Sequence, residues 1–405
     1  MTYIEDVNIQ WQDTGNIDAF GRARVSQLTT QFDAKQLHDK LPLFIDEETN
    51  GTATATHSTQ EARTQLTTVA SGDWVVMQTK QRFNYQSGKS QLLFMTFNSF
   101  DIQSDVTKRI GYFSSSTTSP YTASQDGLWL ESDGTDISVN VSQEGTNVQV
   151  TQSNFNLDVL DGTGKSGVTV DWDDNCILVI DFEWLGVGRV RWGLVINGLI
   201  VYFHESLHAN NSLQGVYMSS PNQPLRWELR QGGATSGTFN YICATVASEG
   251  AVNQIGRDGG IGDDGTHLDA NNTSNWYYAI GIRLQAAKVD TLVDVLNSYL
   301  KSDTNDDFEW RVCFNPTYAS TVTYTDVTNS AVSYGLGVTA NTVSAFGFIM
   351  TAGFGVQASL TELSLETAIR LGSNLDGTLD EIVLIVKPHT SNLDIHRAIN
   401  WRELS

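Results

Sequence analysis

The sequence predicts an all-β protein built from antiparallel jelly-roll-type β-sandwich domains with an extended N-terminal arm. Three observations carry this. Proline is scarce (six) while the 34 glycines and the abundant Thr, Ser, Asn and Val suit strands and tight turns. Short runs with a period of two recur between turn clusters. One hairpin is written out almost completely, in GRVRWGLVINGLIVYFHE (188–205).

The alternating runs come in order. They are DWVVMQTKQRFNY (73–85), SQLLFMTFNSF (90–100), GLWLES (127–132), TDISVNVSQ (135–143), NVQVTQSNF (147–155) and NCILVIDFEW (175–184). In the 188–205 hairpin, Asn197-Gly198 is the preferred pair for a type I′ turn. Val190, Trp192 and Leu194 alternate before it, and Leu199, Val201 and Phe203 after it. Beyond residue 275 the runs are YYAIGIRL (277–284), FEWRVCFNP (308–316), STVTYTDV (320–327), SAFGFIM (344–350) and EIVLIVKP (381–388). Two segments depart from the pattern. In KVDTLVDVLNSYL (288–300), Val289, Leu292, Val293, Leu296 and Leu300 form a helical stripe, and a helix is expected. SLTELSLETAIRLG (359–372) is a weaker helix candidate.

Four regions follow. Residues 1–50 mix charges with isolated aromatics and read as an extended arm that docks on a neighbour or on the body. Residues 51–250 form a lectin-like sandwich. Residues 251–275, polar and Gly-rich, read as a loop or linker. Residues 276–405 form a second β-rich domain.

Composition excludes several function classes. A formal charge of −22 repels phosphate backbones and anionic lipid surfaces, so neither nucleic acid nor membrane is an expected partner. Cys176, Cys243 and Cys313 lie far apart in apolar runs and encode neither a disulfide framework nor a zinc knuckle. Such a fold suits assembly in a reducing cytosol. The start, MTYIEDVNIQWQDTG, has neither the basic nor the apolar region of a signal peptide.

Three motifs suggest chemistry and fail on context. HESLH (204–208) matches the zinc-protease signature H-E-x-x-H, which requires a helix to converge its two histidines. His204 instead ends a hairpin strand, where i and i+4 lie about 13 Å apart. GTGKS (162–166) and SGKS (87–90) end like phosphate-binding loops, but Val159 and Phe83 stand where the first glycine belongs. Asp258, Asp263, Asp264 and Asp269 offer oxygen ligands for calcium without the EF-hand spacing. No metal or cofactor is therefore expected.

The stretches DAFGRARVS (18–26) and QFDAKQLHDKLPLFIDEE (31–48) resemble the start of a structural protein family of marine tailed bacteriophages. Further matching stretches are QTKQRFNYQSGKSQLLFMTF (78–97), TKRIGYF (107–113), LDGTGKSGVTVDW (160–172), DFEWLGVGRVRWGLVINGLIVYFHESLHANN (181–211), YMSSPNQPLRWELR (217–230), CATVASEG (243–250), LDEIVLIVKPHTSN (379–392) and INWREL (399–404). The family usually has a bulkier residue where this chain has Ala23. The resemblance implies a virion component made in the host cytoplasm: a fibre, tail or capsid-decorating subunit that forms a homo-oligomer and meets other virion proteins. On this reading Asp18, Phe20, Arg22 and Arg24 belong to an assembly arm. Residues 127–205 also resemble the laminin-G or concanavalin-like jelly roll, a likeness of fold alone.

A second function class is a glycan-binding module on the virion, with a host surface glycan as partner. Its candidate residues are Trp276, Tyr277 and Tyr278 beside Asn271 and Asn272, which would stack on and hydrogen-bond a sugar. A third class, a glycan depolymerase, needs two carboxylates across a groove. Asp181 and Glu183 share a strand face and are the best pair, yet nothing else marks them as catalytic, and no enzyme is expected.

Overall fold

The computed structural model describes residues 16–115, 125–211, 215–251, 255–304, 306–356, 360–364, 369–391 and 393–404. The chain divides into two compact units, Met1–Thr79 with Tyr85–Asn253, and Lys80–Asn84 with Gln254–Ser405. Lys80–Asn84 is thus a short strap of the second unit set inside the sequence of the first.

The strands of the first unit are β1 (Leu28–Lys35), β2 (Ile45–Asn50), β3 (Thr54–Ser58), β4 (Arg63–Thr68), β5 (Trp74–Thr79), β6 (Gln91–Asn98), β7 (Val106–Ser115), β8 (Gln125–Ser132), β9 (Ile137–Gln143), β10 (Thr146–Thr151), β11 (Cys176–Phe182), β12 (Val190–Ile196), β13 (Leu199–Ser206), β14 (Leu225–Gln231) and β15 (Gly237–Glu249). They make two antiparallel sheets. One has eight strands in the order β13-β12-β11-β6-β15-β4-β3, with β1 added on β15. The other has seven, in the order β10-β9-β8-β7-β14-β5-β2. Alternation decides what lies between them. Trp227 of β14 stacks on Tyr241 of β15 with ring centroids 4.0 Å apart, and Tyr112 of β7 meets Phe182 of β11 at 5.5 Å. Both pairs join one sheet to the other, so the inner faces are fixed by them.

Asn197 and Gly198 both take positive φ, 52° and 80°, as a type I′ turn requires, and Val190–Ile196 and Leu199–Ser206 are the paired strands on either side. The described part of the segment read as an arm is largely body: Leu28–Lys35 joins one sheet of the sandwich and Ile45–Asn50 the other.

The second unit holds β16 (Gly256–Gly262), β17 (Leu268–Ala270), β18 (Tyr277–Leu284), β19 (Leu292–Ser302), β20 (Phe308–Phe314), β21 (Thr317–Tyr318), β22 (Tyr324–Asp326), β23 (Val332–Leu336), β24 (Val343–Ala345), β25 (Phe348–Gly355), β26 (Leu360–Ser364), β27 (Glu381–Pro388) and β28 (Leu393–Leu404). A five-stranded sheet, β16-β28-β19-β26 with β17 on β28, accompanies a six-stranded sheet, β22-β23-β18-β27-β20-β25, and a two-stranded ribbon, β21-β24.

Three sequence expectations need correction here. The stretch 288–300 is strand, not helix. β19 carries a bulge between Val295 and Asn297, and the inward set moves from Val293 and Val295 to Ser298, Leu300 and Ser302. One extra residue in a period of two imitates a helical stripe. The stretch 359–372 begins with strand Leu360–Ser364 paired to β19, so sheet pairing overrides its helical spacing, while residues 365–368 lie outside the described residues. The Gly-rich segment 251–275 contains two strands on β28. Two of its glycines leave space for neighbouring side chains: a Cβ on Gly259 would sit 2.7 Å from the Trp401 ring, and one on Gly260 2.2 Å from Asn400 Oδ1.

Trp227→Ala should destabilise the first unit by about 3–5 kcal/mol, because it empties the contact with Tyr241 at the centre of the sandwich. A urea titration followed by Trp and Tyr fluorescence measures this as a fall in midpoint with an unchanged slope.

Candidate functional site

The most heavily built polar site lies where residues 16–24 cross the outer side of the eight-stranded sheet. These residues form a miniature hairpin. Asp18 N donates to Arg22 O at 2.8 Å, and Arg24 N donates to Asn16 O at 2.9 Å. Gly21 (φ 76°) supplies the left-handed turn. Asp18 Oδ1 closes the turn from inside, accepting from Phe20 N at 2.9 Å and Arg22 N at 2.8 Å.

The hairpin is fastened by charge. Asp181 is fully buried on β11, directly opposite Arg191 of β12. Its carboxylate accepts from Arg24 Nη2 at 2.6 Å, Arg191 Nε at 3.1 Å, Tyr202 OH at 3.0 Å and Ser90 Oγ. Arg191 also donates to Ile17 O, and its guanidinium lies 4.1 Å over the Tyr202 ring. Glu183, also fully buried, receives Arg22. Arg189 Nη1 holds Glu205 at 2.9 Å, and Arg189 Nη2 reaches Asp18 O at 3.3 Å. Asp18, Asp181, Glu183 and Glu205 thus meet Arg22, Arg24, Arg189 and Arg191, and their formal charges cancel.

Burial dominates the electrostatics. It pushes Glu183 up to about 7, and the Arg22 charge offsets this only in part. Asp18 is also raised by burial, but the hydrogen bonds from the Arg22 backbone and guanidinium outweigh that, and the net shift is downward. Burial, then the Asp181 charge, pushes the Tyr202 phenol well above its ordinary range.

Asp181 and Glu183 are therefore spoken for. A glycosidase pair flanks an open groove that admits substrate and water; here arginines of the same chain occupy both acids. The outer face of the seven-stranded sheet neutralises its own charges in the same way. There Arg226 Nε donates to Glu228 at 2.6 Å, Arg109 bridges Glu228 (3.1 Å) and Glu131 (3.0 Å), and Trp129 Nε1 donates to Glu131 at 2.7 Å.

Beside the hairpin is a cavity of about 330 Å³, walled by Ala19, Phe20, Val187, Gly188, Leu207 and His208. Phe20 is 44% exposed at its rim. His208 closes one side by stacking on Tyr217 with centroids 4.2 Å apart, its Nδ1 2.7 Å from Gly188 O. His204 sits on β13 with a separate partner, Asn156 N at 3.3 Å, and burial pulls it down to about 4. The two histidines of HESLH do not converge.

The other sequence candidates are dispersed. Tyr277 and Tyr278 are 1% and 0% exposed, which corrects their placement in a surface glycan site. Consecutive strand residues face opposite sides, and in β18 both sides are covered. Tyr278 packs with Cys313, Val383 and Ile385 under a layer that includes Tyr318, Val343 and Phe346. Trp276 is half-buried, with Arg311 4.3 Å over its ring and Phe346 edge-on at 5.6 Å. Asn271 and Asn272 are exposed, but Asn272 Oδ1 caps its own turn through Ser274 N at 2.9 Å. Among the calcium candidates, Asp258 is held by Arg402 at 2.6 and 3.0 Å, and Asp263 by His396 at 3.1 Å and Arg397 N at 3.2 Å. In GTGKS, Ser166 N donates to Asp158 at 2.6 Å, so the chain's own carboxylate sits where a phosphate would.

Reading the sequence alone missed Arg189 and Arg191. The available signal was RVR (189–191) lying antiparallel to DFE (181–183), two alternating charged triplets inside apolar runs on adjacent strands.

The fold and site define a β-sandwich protein of the jelly-roll type, with its best-built polar cluster devoted to internal fastening. No protein-family model matches the chain, and no curated protein does. Solved structures similar to it include the Emp47p carbohydrate recognition domain (11% identity, TM-score 0.35, covering 56% of this chain and 98% of that one). Others are a legume lectin-like domain from Entamoeba histolytica (9%, 0.31, 50% and 89%) and the VIP36 exoplasmic/lumenal domain in its Ca2+/Man3GlcNAc-bound form (13%, 0.34, 56% and 91%). The fold assignment itself rests on the strand orders above.

Two outcomes are expected. Asp181→Ala leaves Arg191 buried without its anion and should cost about 3–5 kcal/mol, read by urea unfolding. The Glu183 carboxyl, raised from 4.5 to about 7, binds its proton more tightly folded than unfolded. Its contribution is therefore most favourable at low pH and is lost as pH rises from 4.5 to 7. The Tm of Glu183→Gln minus that of the parent should grow across this window and level off above it.

Proposed function

We propose that the chain is a non-catalytic structural subunit of a tailed-phage virion, assembling with itself and with other virion proteins. One observation carries the reading. The DAFGRAR residues, on which the family resemblance begins, are spent on pinning the chain's own N-terminal segment to the sandwich, and they occupy the two acids best placed for hydrolysis. Hardware of this kind maintains shape under load and leaves no reactive group presented to a substrate. In purified particles of the phage that encodes the chain, quantitative mass spectrometry should find it in fixed stoichiometry to the major structural proteins. Its loss on repeated banding of the particles would sink the proposal.

A second reading, glycan recognition by the same particle protein, is favoured by the cavity at Phe20. An aromatic ring half open at the rim of a pocket is a stacking surface for a sugar, and the guanidinium of Arg22 stands 5.9 Å from that ring as a donor. Host surface polysaccharide should raise the Tm of the purified chain, and Phe20→Ala should abolish that increment without lowering the ligand-free Tm by more than about 2 °C. An equal increment in both proteins would remove Phe20 from the site.

A further inference from the structure

The outer strand of the six-stranded sheet is built unlike an ordinary sheet edge. β25, FIMTAGFG, pairs on one side with β20, and among the described residues no strand pairs with its other side. An unprotected edge offers a row of backbone donors and acceptors to any passing strand. Natural edges are usually blunted by lysine, proline, a very short strand or a covering loop. β25 is eight residues long and contains neither charge nor proline. It also presents apolar side chains to solvent: Phe348 is 42% exposed, Ile349 39% and Phe354 70%.

The surrounding charge says what can approach. The chain carries −22, so two copies repel over most of their surfaces. Yet residues 327–361 contain no Asp, Glu, Lys, Arg or His, and β25 lies inside that window. Here alone in the six-stranded sheet does a long outer strand combine free pairing capacity with a neutral sequence; the opposite edge, Tyr324–Asp326, is three residues long and ends in an acid. A basic partner would find no carboxylate on β25 to recognise. A second copy finds an apolar, uncharged strand identical to its own.

We infer that β25 is a homotypic contact: two copies pair their β25 strands antiparallel about a two-fold axis, joining two six-stranded sheets into one continuous sheet. The inference rests on the reading of the chain as an assembling subunit and names the surface and the partner. Backbone hydrogen bonds supply the register, and Phe348, Ile349 and Phe354 supply the apolar burial. Because the remaining surfaces repel, association strengthens as salt screens them.

The test is sedimentation velocity on the full chain over a wide concentration range, at low and moderate salt, beside Ala352→Lys and Phe354→Lys. Both positions are exposed on β25, so neither change disturbs a packed interior. The parent should move from 44.5 kDa towards twice that mass, more readily at moderate salt. Each variant brings two like charges, one from each copy, onto the short paired strands and should raise the dissociation constant roughly 100-fold with Tm unchanged. A parent that associates equally well with either lysine in place overturns the edge contact and leaves the assembling subunit standing on another surface. A parent that stays monomeric at every concentration also overturns the edge contact, while particle composition still decides the virion reading. Hydrogen exchange on the unmodified chain gives a check that needs no variant. Amides of Phe348–Gly355 should exchange more slowly as concentration rises, and a rate independent of concentration counts against the contact.

Discussion

Burying Asp181 and Glu183 is the constraint to which the first unit conforms. A carboxylate without exposure must find a cation or give up its charge. Asp181 finds Arg191 across the strand pair and Arg24 from the N-terminal hairpin, while Glu183 has only the half-exposed Arg22 and holds its proton up to about 7. The hairpin at residues 16–24 is consequently part of the sandwich. Without it, Asp181 would lose Arg24, Glu183 would lose Arg22 and Arg191 would lose the Ile17 carbonyl. The buried acids thus act through the chain's own arginines and govern where its N-terminal segment runs.

The parts of this fold legible in the sequence are those governed by nearest neighbours. Asn197-Gly198 wants two positive φ angles and has them, and the alternation around it survives in both strands. What was illegible depends on residues far along the chain. The bulge in β19 exists because β28 pairs with it on both sides of the irregularity, and from the sequence alone the shifted parity reads as a helix. The glycines of β16 look like a linker until Trp401 and Asn400 are seen lying across them. Tyr277 and Tyr278 promised at least one ring at the surface, since a strand with one solvated face would show one; a second apolar layer over β18 removed it. The charged cluster was half visible. Its acids were readable as a pair, but their partners are assigned by the β11–β12 register and by a segment more than a hundred residues upstream.

The two units treat the outer faces of their sheets differently. In the first, charged side chains lie on outer faces and are matched into closed networks around Asp181 and Glu228. In the second, the face of the six-stranded sheet around Tyr278 is mainly aromatic, with the single acid Glu381 taken up by the Tyr318 and Tyr324 hydroxyls, and it is topped by a two-stranded ribbon. Charge networks are directional and tolerate few rearrangements, whereas aromatic layers are held by area and shape. The neutral sequence 327–361 belongs to the second style, and so does the outer strand it contains.

The strap Lys80–Asn84 has a consequence for how the chain is made. It lies between β5 and β6 of the first unit, yet it belongs to the second, where Lys80 O accepts from Ser373 N at 3.2 Å. A ribosome releases β1 to β15 long before residue 373. The first sandwich can form its sheets during synthesis, but the five strap residues must wait, looped out, for a partner almost three hundred residues later. The two units are also joined by three covalent crossings, at Thr79–Lys80, Asn84–Tyr85 and Asn253–Gln254. A chain cut between Asn253 and Gln254 would leave the strap on the N-terminal fragment, held to the rest of its unit only by contacts such as that of Ser373 N with Lys80 O, and a gene fragment encoding only the C-terminal portion would lack a piece of its own unit.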